Sequence, residues 1–323
     1  MNISYIIKLI TGVALFLFGM TLMGEGLKQV AGNKLEIVLY KLTGNPLKGL
    51  LFGTVVTTVI QSSSATSVMV VGFVNSGIMK VRQAIPIVLG AIFGTSVTGW
   101  VICLSGIDAG SGWLMLFSTG TLTCFTALAG IYFRMFSKER FKNHLGNVLL
   151  GFAVLMNGMS VMSGAVAPLH DNERFIGILT EFSNPFLGIL VGIIFTSILQ
   201  SASAAVGILQ ALAMTGIVRF DMALPLIMGI AIGAAVPVLL SAIGATTDGK
   251  RTALAYLTSN TLGVILSATV FYGLNALLNF TFMKENMTMT TVAALNSIYR
   301  FAVVAALFPL SRHVESVVLM SRL

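Results

Sequence analysis

The sequence predicts an all-α polytopic membrane protein built from two inverted-topology repeats, each with a re-entrant helical hairpin and a broken transmembrane helix. Three observations carry this. The chain is 56% hydrophobic and only 9% charged, with a mean hydropathy of +0.95, and apolar runs able to cross roughly 30 Å of hydrocarbon recur along it. A β-barrel would show alternation instead. Second, Gln61-Ser62-Ser63-Ser64-Ala65 returns 139 residues later as Gln200-Ser201-Ala202-Ser203-Ala204. The same ungapped offset carries Asn45-Pro46 onto Asn184-Pro185, and Gly53, Gly77, Pro86, Gly90 and Gly94 onto Gly192, Gly216, Pro225, Gly229 and Gly233. So many matches at one spacing mark an internal duplication. Third, if both hairpins return to the side they enter from, 14 of the 19 lysines and arginines share one face, 4 share the other, and Arg300 lies inside a span. Reading each hairpin as one span would leave nine on each face.

The elements follow in order. Residues 3–23 form a first span. They have the length of a signal peptide, but Gly19, Met20 and Met23 recur as Gly158, Met159 and Met162, so this helix belongs to the fold. Glu25 to Lys41 reads as an amphipathic piece at the membrane surface. Residues 46–79 are too long for one span and too short for two. Divided at the Gln-Ser tip, each arm has about 15 residues, or roughly 22 Å of helix. A polar tip near the midplane is tolerable where it is buried in protein.

A span at 83–104 is expected to break at Gly94-Thr95-Ser96-Val97-Thr98-Gly99, because glycines loosen a helix. A span at 113–136 completes repeat 1, which covers residues 1–143. Repeat 2 covers 144–323: a span at 145–168, a surface piece at 171–182, a hairpin at 185–217, and a span at 222–244 broken at Gly233-Ala234-Ala235-Val236-Pro237. A span at 251–280 and a final helix at 291–310 close the chain.

Three full spans per half, an odd number, require inverted topology, the architecture of secondary transporters with a midplane site. The positive face is cytoplasmic. The N-terminus is then outside and the C-terminus inside the cytoplasmic (inner) membrane, with the lipid bilayer as surroundings. The net charge of +8 sits in short loops, which suits a membrane protein and gives no reason to expect nucleic acid. Cys103 and Cys124 fall in apolar segments and read as packing residues.

The tips carry the chemistry. A tetrahedral oxyanion needs several donors converging from different elements. Ser hydroxyls, Gln amides and the free N–H groups at helix starts supply them, and the helix dipole favours negative charge there. Sodium needs hard oxygens, which hydroxyls, Gln carbonyls and unwound backbone carbonyls offer. Thr57, Thr58, Thr196 and Ser197 read instead as packing and back-bonding hydroxyls. Arg300 is the one basic residue deep in a span, where a charge is costly and marks a functional candidate.

Asn45-Pro46, the Gln61-Ser62-Ser63-Ser64 tip, Pro86, Gly90 and Gly94-Thr95-Ser96-Val97-Thr98, with their second-half counterparts, resemble the type II sodium/phosphate cotransporter family, including its bacterial members. The resemblance implies sodium-coupled symport of inorganic phosphate, with sodium as coupling ion and no cofactor. It places phosphate at Ser62, Ser63, Ser64, Ser201 and Ser203, to which Arg300 is added by its depth. It places sodium at Gln61, Gln200, Thr95, Ser96 and Thr98. Some bacterial members carry a helical regulatory domain after the last span, so a cytoplasmic regulatory domain or protein is a further expected partner. Two departures stand out. Ala234-Ala235-Val236-Pro237 replaces a run that in the family usually carries several threonines, and Ala202 replaces the middle serine. Asp108 lies one residue off the register at which some electrogenic members carry an Asp, and reads as a loop residue.

Other readings are a phosphate exporter, a carrier of another oxyanion, or a membrane sensor or scaffold for a cytoplasmic phosphate-responsive partner. An enzyme is not expected. A serine nucleophile needs a general base, and His144, His170 and His313 read as loop residues away from the tips. The charge split predicts that a cysteine replacing Lys138 is labelled only from the cytoplasm and one replacing Asp108 only from outside. Labelling of both from one face would overturn the layout.

Overall fold

The computed structural model describes residues 3–31, 45–104, 119–166 and 181–319. Asp108, His170 and most of the two surface pieces, at 25–41 and 171–182, lie outside the described residues. The helices are α1 (Ile3–Ala31), α2 (Pro46–Ile60), α3 (Ser63–Asn75), α4 (Val81–Cys103), α5 (Thr119–Phe136) and α6 (Arg140–Val166). They continue as α7 (Pro185–Leu199), α8 (Ala202–Ala213), α9 (Phe220–Gly233), α10 (Ala235–Ser241), α11 (Thr247–Leu278), α12 (Met289–Leu307) and α13 (Ser311–Leu319). Among the described residues six helices are long and apolar enough to cross a membrane, and there is no strand. Large apolar side chains such as Phe186 (89% exposed) and Leu277 (80%) cover the outside. That surface suits hydrocarbon and would be costly in water.

Each hairpin is two short helices joined by two residues. Asn45 caps α2 by accepting from Leu47 N, with Pro46 at the first helical position, where its missing N–H costs nothing. Gln61 adopts the left-handed conformation (φ 59°), which ends α2, and Ser62 starts α3 by accepting from Ala65 N. The second hairpin repeats this with Asn184, Pro185, Gln200 (φ 53°) and Ser201. Thr57 Oγ1 donates to Thr66 Oγ1 across the first hairpin at 3.0 Å, fixing its two arms to each other.

Glycines let each hairpin arm press against its neighbour. A Cβ at Gly53 would sit under 3.0 Å from the Ile87 carbonyl, and one at Gly90 under 3.0 Å from that of Leu50. At Gly192 and Gly229 the obstacles are the carbonyls of Leu226 and Ile189, the same residues advanced by the repeat offset. α2 therefore packs on α4 as α7 packs on α9. The first helices of the two halves meet each other: Gly12 lies on Gly158 and Met162, Gly19 on Gly151 and Leu155. Equivalent helices thus run antiparallel, as inversion requires. At one end of the bundle Arg219 pairs with Asn286. At the other, Asn75 Oδ1 accepts from Thr246 N, and Arg251 donates to the Leu319 carbonyl.

The expected break in α4 is absent: the helix runs unbroken through Gly94–Gly99. The glycines there serve close approach, since a Cβ at Gly94 would meet Thr54 and Thr57. The hydroxyls bond back into their own helix, Thr95 Oγ1 to the Ala91 carbonyl (3.2 Å) and Ser96 Oγ to that of Phe93 (2.7 Å). The second-half break is present at Ala234, three residues before Pro237, whose ring nitrogen cannot continue the ladder. α1 also runs on through Glu25 and Lys28 to Ala31, because Gly26 keeps it seated against His144 and Val148 of α6.

Gly90→Ala and Gly229→Ala should each destabilise the protein by about 1–3 kcal/mol through overpacking. Gly273→Ala, where nothing lies within 4 Å of the added methyl, should be neutral or stabilising by up to about 1 kcal/mol. Thermal melting in detergent measures all three.

Candidate functional site

The two tips meet. Ser203 Oγ, in the second tip, donates to the Gln61 carbonyl in the first at 3.2 Å. Ser64 Oγ donates to the Ala234 carbonyl at the second-half break at 3.1 Å. The first tip therefore touches both the opposite tip and the opposite broken helix. Ser63, Ser64, Ser203 and Gln61 are buried, while Ser62 and Ser201 are half-buried. Ser62 and Ser201 use their oxygens as helix caps, accepting from Ala65 N and Ala204 N at 3.2 Å each. The leading N–H groups of α3 and α8 have no partner within their own helices. Two positive helix ends thus converge on one buried region.

The tips are not equivalent. Gln61 is 5% exposed with its Nε2 tied to the Thr58 carbonyl and its Oε1 unpartnered among the described residues. Gln200 is exposed. Thr66, which partners Thr57, is replaced by Ala205 in the second half, and Thr196 Oγ1 is left without a partner among the described residues. Ser197 back-bonds to the Ile193 carbonyl at 2.7 Å. Thr95, Ser96 and Thr98 are all buried on α4, with only Thr98 Oγ1 unpartnered among the described residues.

Arg300 is fully buried on α12. Its Nε donates to Asn296 Oδ1 at 2.9 Å and its Nη1 to the Ile92 carbonyl of α4 at 3.2 Å. Nη2 has no partner among the described residues. The side chain does not snorkel and meets no carboxylate among the described residues, so a full positive charge stands in the interior held by two neutral acceptors. Leaving a buried cation so lightly compensated costs several kcal/mol. An anion beside it would recover much of that.

Three further residues join this region without having been singled out in the sequence. Tyr256 of α11 is buried and its phenol donates to Ser63 Oγ at 3.1 Å. Asn296 orients Arg300. Gln210, buried on α8, donates to the carbonyls of Gly99 (3.0 Å) and Met289 (3.1 Å), tying the second hairpin to α4 and α12. An amide or phenol within an apolar span was the available signal, since such a group must find a partner there. His144 and His313 lie in α6 and α13, contrary to the loop reading, because helix α6 begins before His144 and α13 follows the last span. Cys103 and Cys124 are free thiols.

A duplicated, inverted helical bundle with half-membrane hairpins meeting at a buried polar centre is a membrane transporter architecture. The chain belongs to the Na+/Pi-cotransporter family, which matches residues 15–164 and 169–300. It is 29% identical over 255 residues to the uncharacterized protein YqeW of Bacillus subtilis, covering 79% of this chain and 78% of that protein. It is 26% identical over 262 residues to the putative inorganic phosphate export protein YjbB of Escherichia coli, covering 81% of this chain and 46% of YjbB. The chain thus spans about half the length of that relative. A shorter match, 42% over 79 residues, joins 24% of the chain to 12% of the sheep sodium-dependent phosphate transport protein 2A. No solved structure matches the chain.

If Arg300 faces the transported anion, Arg300→Lys should keep the charge, lose the planar fork and weaken phosphate affinity about tenfold. Arg300→Met should abolish phosphate binding in a folded protein. Normal affinity of the Met variant in an equilibrium binding assay would leave Arg300 a structural role only.

Proposed function

We propose that this protein is a secondary transporter that moves inorganic phosphate with sodium across the cytoplasmic membrane. In this reading its N-terminus is outside and its C-terminus cytoplasmic. Phosphate sits between the tips, with donors from Ser62, Ser63 and Ser64 of one repeat and Ser201 and Ser203 of the other, and Arg300 balancing its charge. Sodium takes the oxygens of Gln61, Thr95, Ser96 and Thr98, with Gln200 a lesser contributor. The observation that carries the reading is the direct contact between tips, Ser203 Oγ on the Gln61 carbonyl. It brings two helix starts to one place where a single oxyanion can accept from both.

Support for sodium is stronger in the first half than in the second. Ala234 and Ala235 are buried and offer only backbone oxygen, whereas the first half keeps three hydroxyls and the unpartnered Gln61 Oε1. The name of the YjbB relatives favours a second reading, phosphate export. Uptake of radiolabelled phosphate into proteoliposomes, with and without an inward sodium gradient, separates the two. A symporter accumulates phosphate only with the gradient, a sodium-independent exporter-type carrier shows flux without it, and absence of flux would overturn the transport reading.

Ser62→Ala and Ser201→Ala should each weaken phosphate binding by about one to two decades, because a hydrogen bond to a charged group is worth roughly 1.5–3 kcal/mol. The two losses should be non-additive, since both donors act on one ion. Ser62→Asp keeps the helix cap yet should abolish phosphate binding by repulsion. Gln61→Ala should weaken sodium activation more than Gln200→Ala. A Ser62→Ala variant with unchanged phosphate affinity would refute the shared site.

A further inference from the structure

We infer that Tyr256 is a positioning residue for anion recognition, its phenol fixing Ser63 as a hydrogen-bond donor to the bound phosphate. The inference rests on the phosphate reading of the tips. Tyr256 is fully buried in the middle of the bundle, and its phenol meets the first tip at Ser63. Asn260, one turn further on, donates to the Tyr256 carbonyl at 2.9 Å and lies beside it in the core.

The direction of the Tyr256–Ser63 bond follows from acidity. A phenol, with a pKa near 10, is a far stronger acid than an aliphatic alcohol, so the tyrosine donates and the serine oxygen accepts. A serine that accepts keeps its own proton for another acceptor, and the donated bond polarises that O–H cooperatively. Two neighbouring hydroxyls already have acceptors within the protein, which they must leave to serve phosphate: Ser64 donates to the Ala234 carbonyl and Ser203 to that of Gln61. Ser63 is 2% exposed, and among the described residues no acceptor takes its proton. A buried donor without an acceptor is costly, and a tetrahedral oxyanion supplies the acceptor. A sodium ion could use the remaining lone pair of the serine but would leave its proton without an acceptor. An anion takes that proton, so Ser63 is assigned as an anion ligand.

The duplication points the same way. The 139-residue offset carries Ser63 onto Ala202 and Tyr256 onto Phe117. The symmetry-related pair, Ala202 of the second half and Phe117 of the first, thus lacks both hydroxyls, as expected for two groups that work together. The first tip then supplies one more donor than the second, and recognition of the anion is asymmetric within a symmetric frame.

The test is a double-mutant cycle on the full-length protein, reading the dissociation constant of inorganic phosphate, the sodium concentration for half-activation, and the melting temperature. Tyr256→Phe keeps the ring that fills the core. It should weaken phosphate binding about three- to tenfold, as for loss of one neutral hydrogen bond, and leave sodium activation unchanged. Ser63→Ala should weaken phosphate binding about tenfold or more. In the Ser63→Ala background, Tyr256→Phe should cost nothing further. A purely structural tyrosine would lower affinity equally in both backgrounds, and that result overturns the inference. So does a Tyr256→Phe protein with normal phosphate affinity, or one whose defect is in sodium activation. Should Ser63→Ala itself bind phosphate normally, the phosphate role of Ser63 falls and this inference with it, whereas the Ser62 and Ser201 variants test the shared site separately.

Discussion

The contact on which the rest of the structure depends is the close approach of each hairpin's first arm to the spanning helix that follows it. In a bilayer, helices gain no hydrophobic free energy by meeting, so association relies on dispersion and on small residues that let backbones come near. Gly53 and Gly90 provide this in the first half, Gly192 and Gly229 in the second, each facing a carbonyl where a methyl would not fit. An arm of 15 residues pinned in this way ends part way through the bundle. The depth of each tip is therefore set by glycine packing far from the polar residues themselves.

Placing polar residues at that depth creates a second requirement, because every buried N–H, C=O and hydroxyl needs a partner. The local sequence meets part of it through caps: Asn45 and Asn184 at the arm starts, Ser62 and Ser201 at the turns. Part of the remainder is met across the repeat boundary, by Ser64 on Ala234, Ser203 on Gln61 and Tyr256 on Ser63, while Gln61 Oε1, Thr98 Oγ1 and Arg300 Nη2 stay unpartnered among the described residues. These long-range bonds make the polar centre a product of both halves.

Duplication supplied the frame, and divergence made its two halves unequal. Gln61 is buried and Gln200 exposed; Thr57 has Thr66 to bond, while Thr196 faces a position occupied by Ala205. α4 stays whole across Gly94–Gly99, whereas the equivalent helix divides at Ala234 ahead of Pro237. A proline removes a donor and clashes with the preceding turn, which favours a break at Pro237, although Pro86 and Pro225 sit inside α4 and α9 without one. Glycine only permits one, and α4 uses its glycines for contact with Thr54 and Thr57 instead.

Membrane class, the order of the spans, the two hairpins and their duplication were all written in the sequence, because each rests on a local or periodic property: apolar run length, Pro and Gly positions, and one repeated spacing; the unbroken α4 and the helix α13 were not. Ser and Gln at a helix break were legible for the same reason, and Arg300 was legible because a charge in an apolar run is conspicuous. What only the tertiary structure decided is which of these groups touch. That Ser203 reaches Gln61, that Tyr256 meets Ser63, that Asn296 and the Ile92 carbonyl hold Arg300, and that Gln210 ties three helices together all depend on contacts between residues 79 to 208 positions apart, the Arg300–Asn296 turn excepted. Such contacts are fixed by how helices pack and cross, and the spacing of residues along one chain does not encode that.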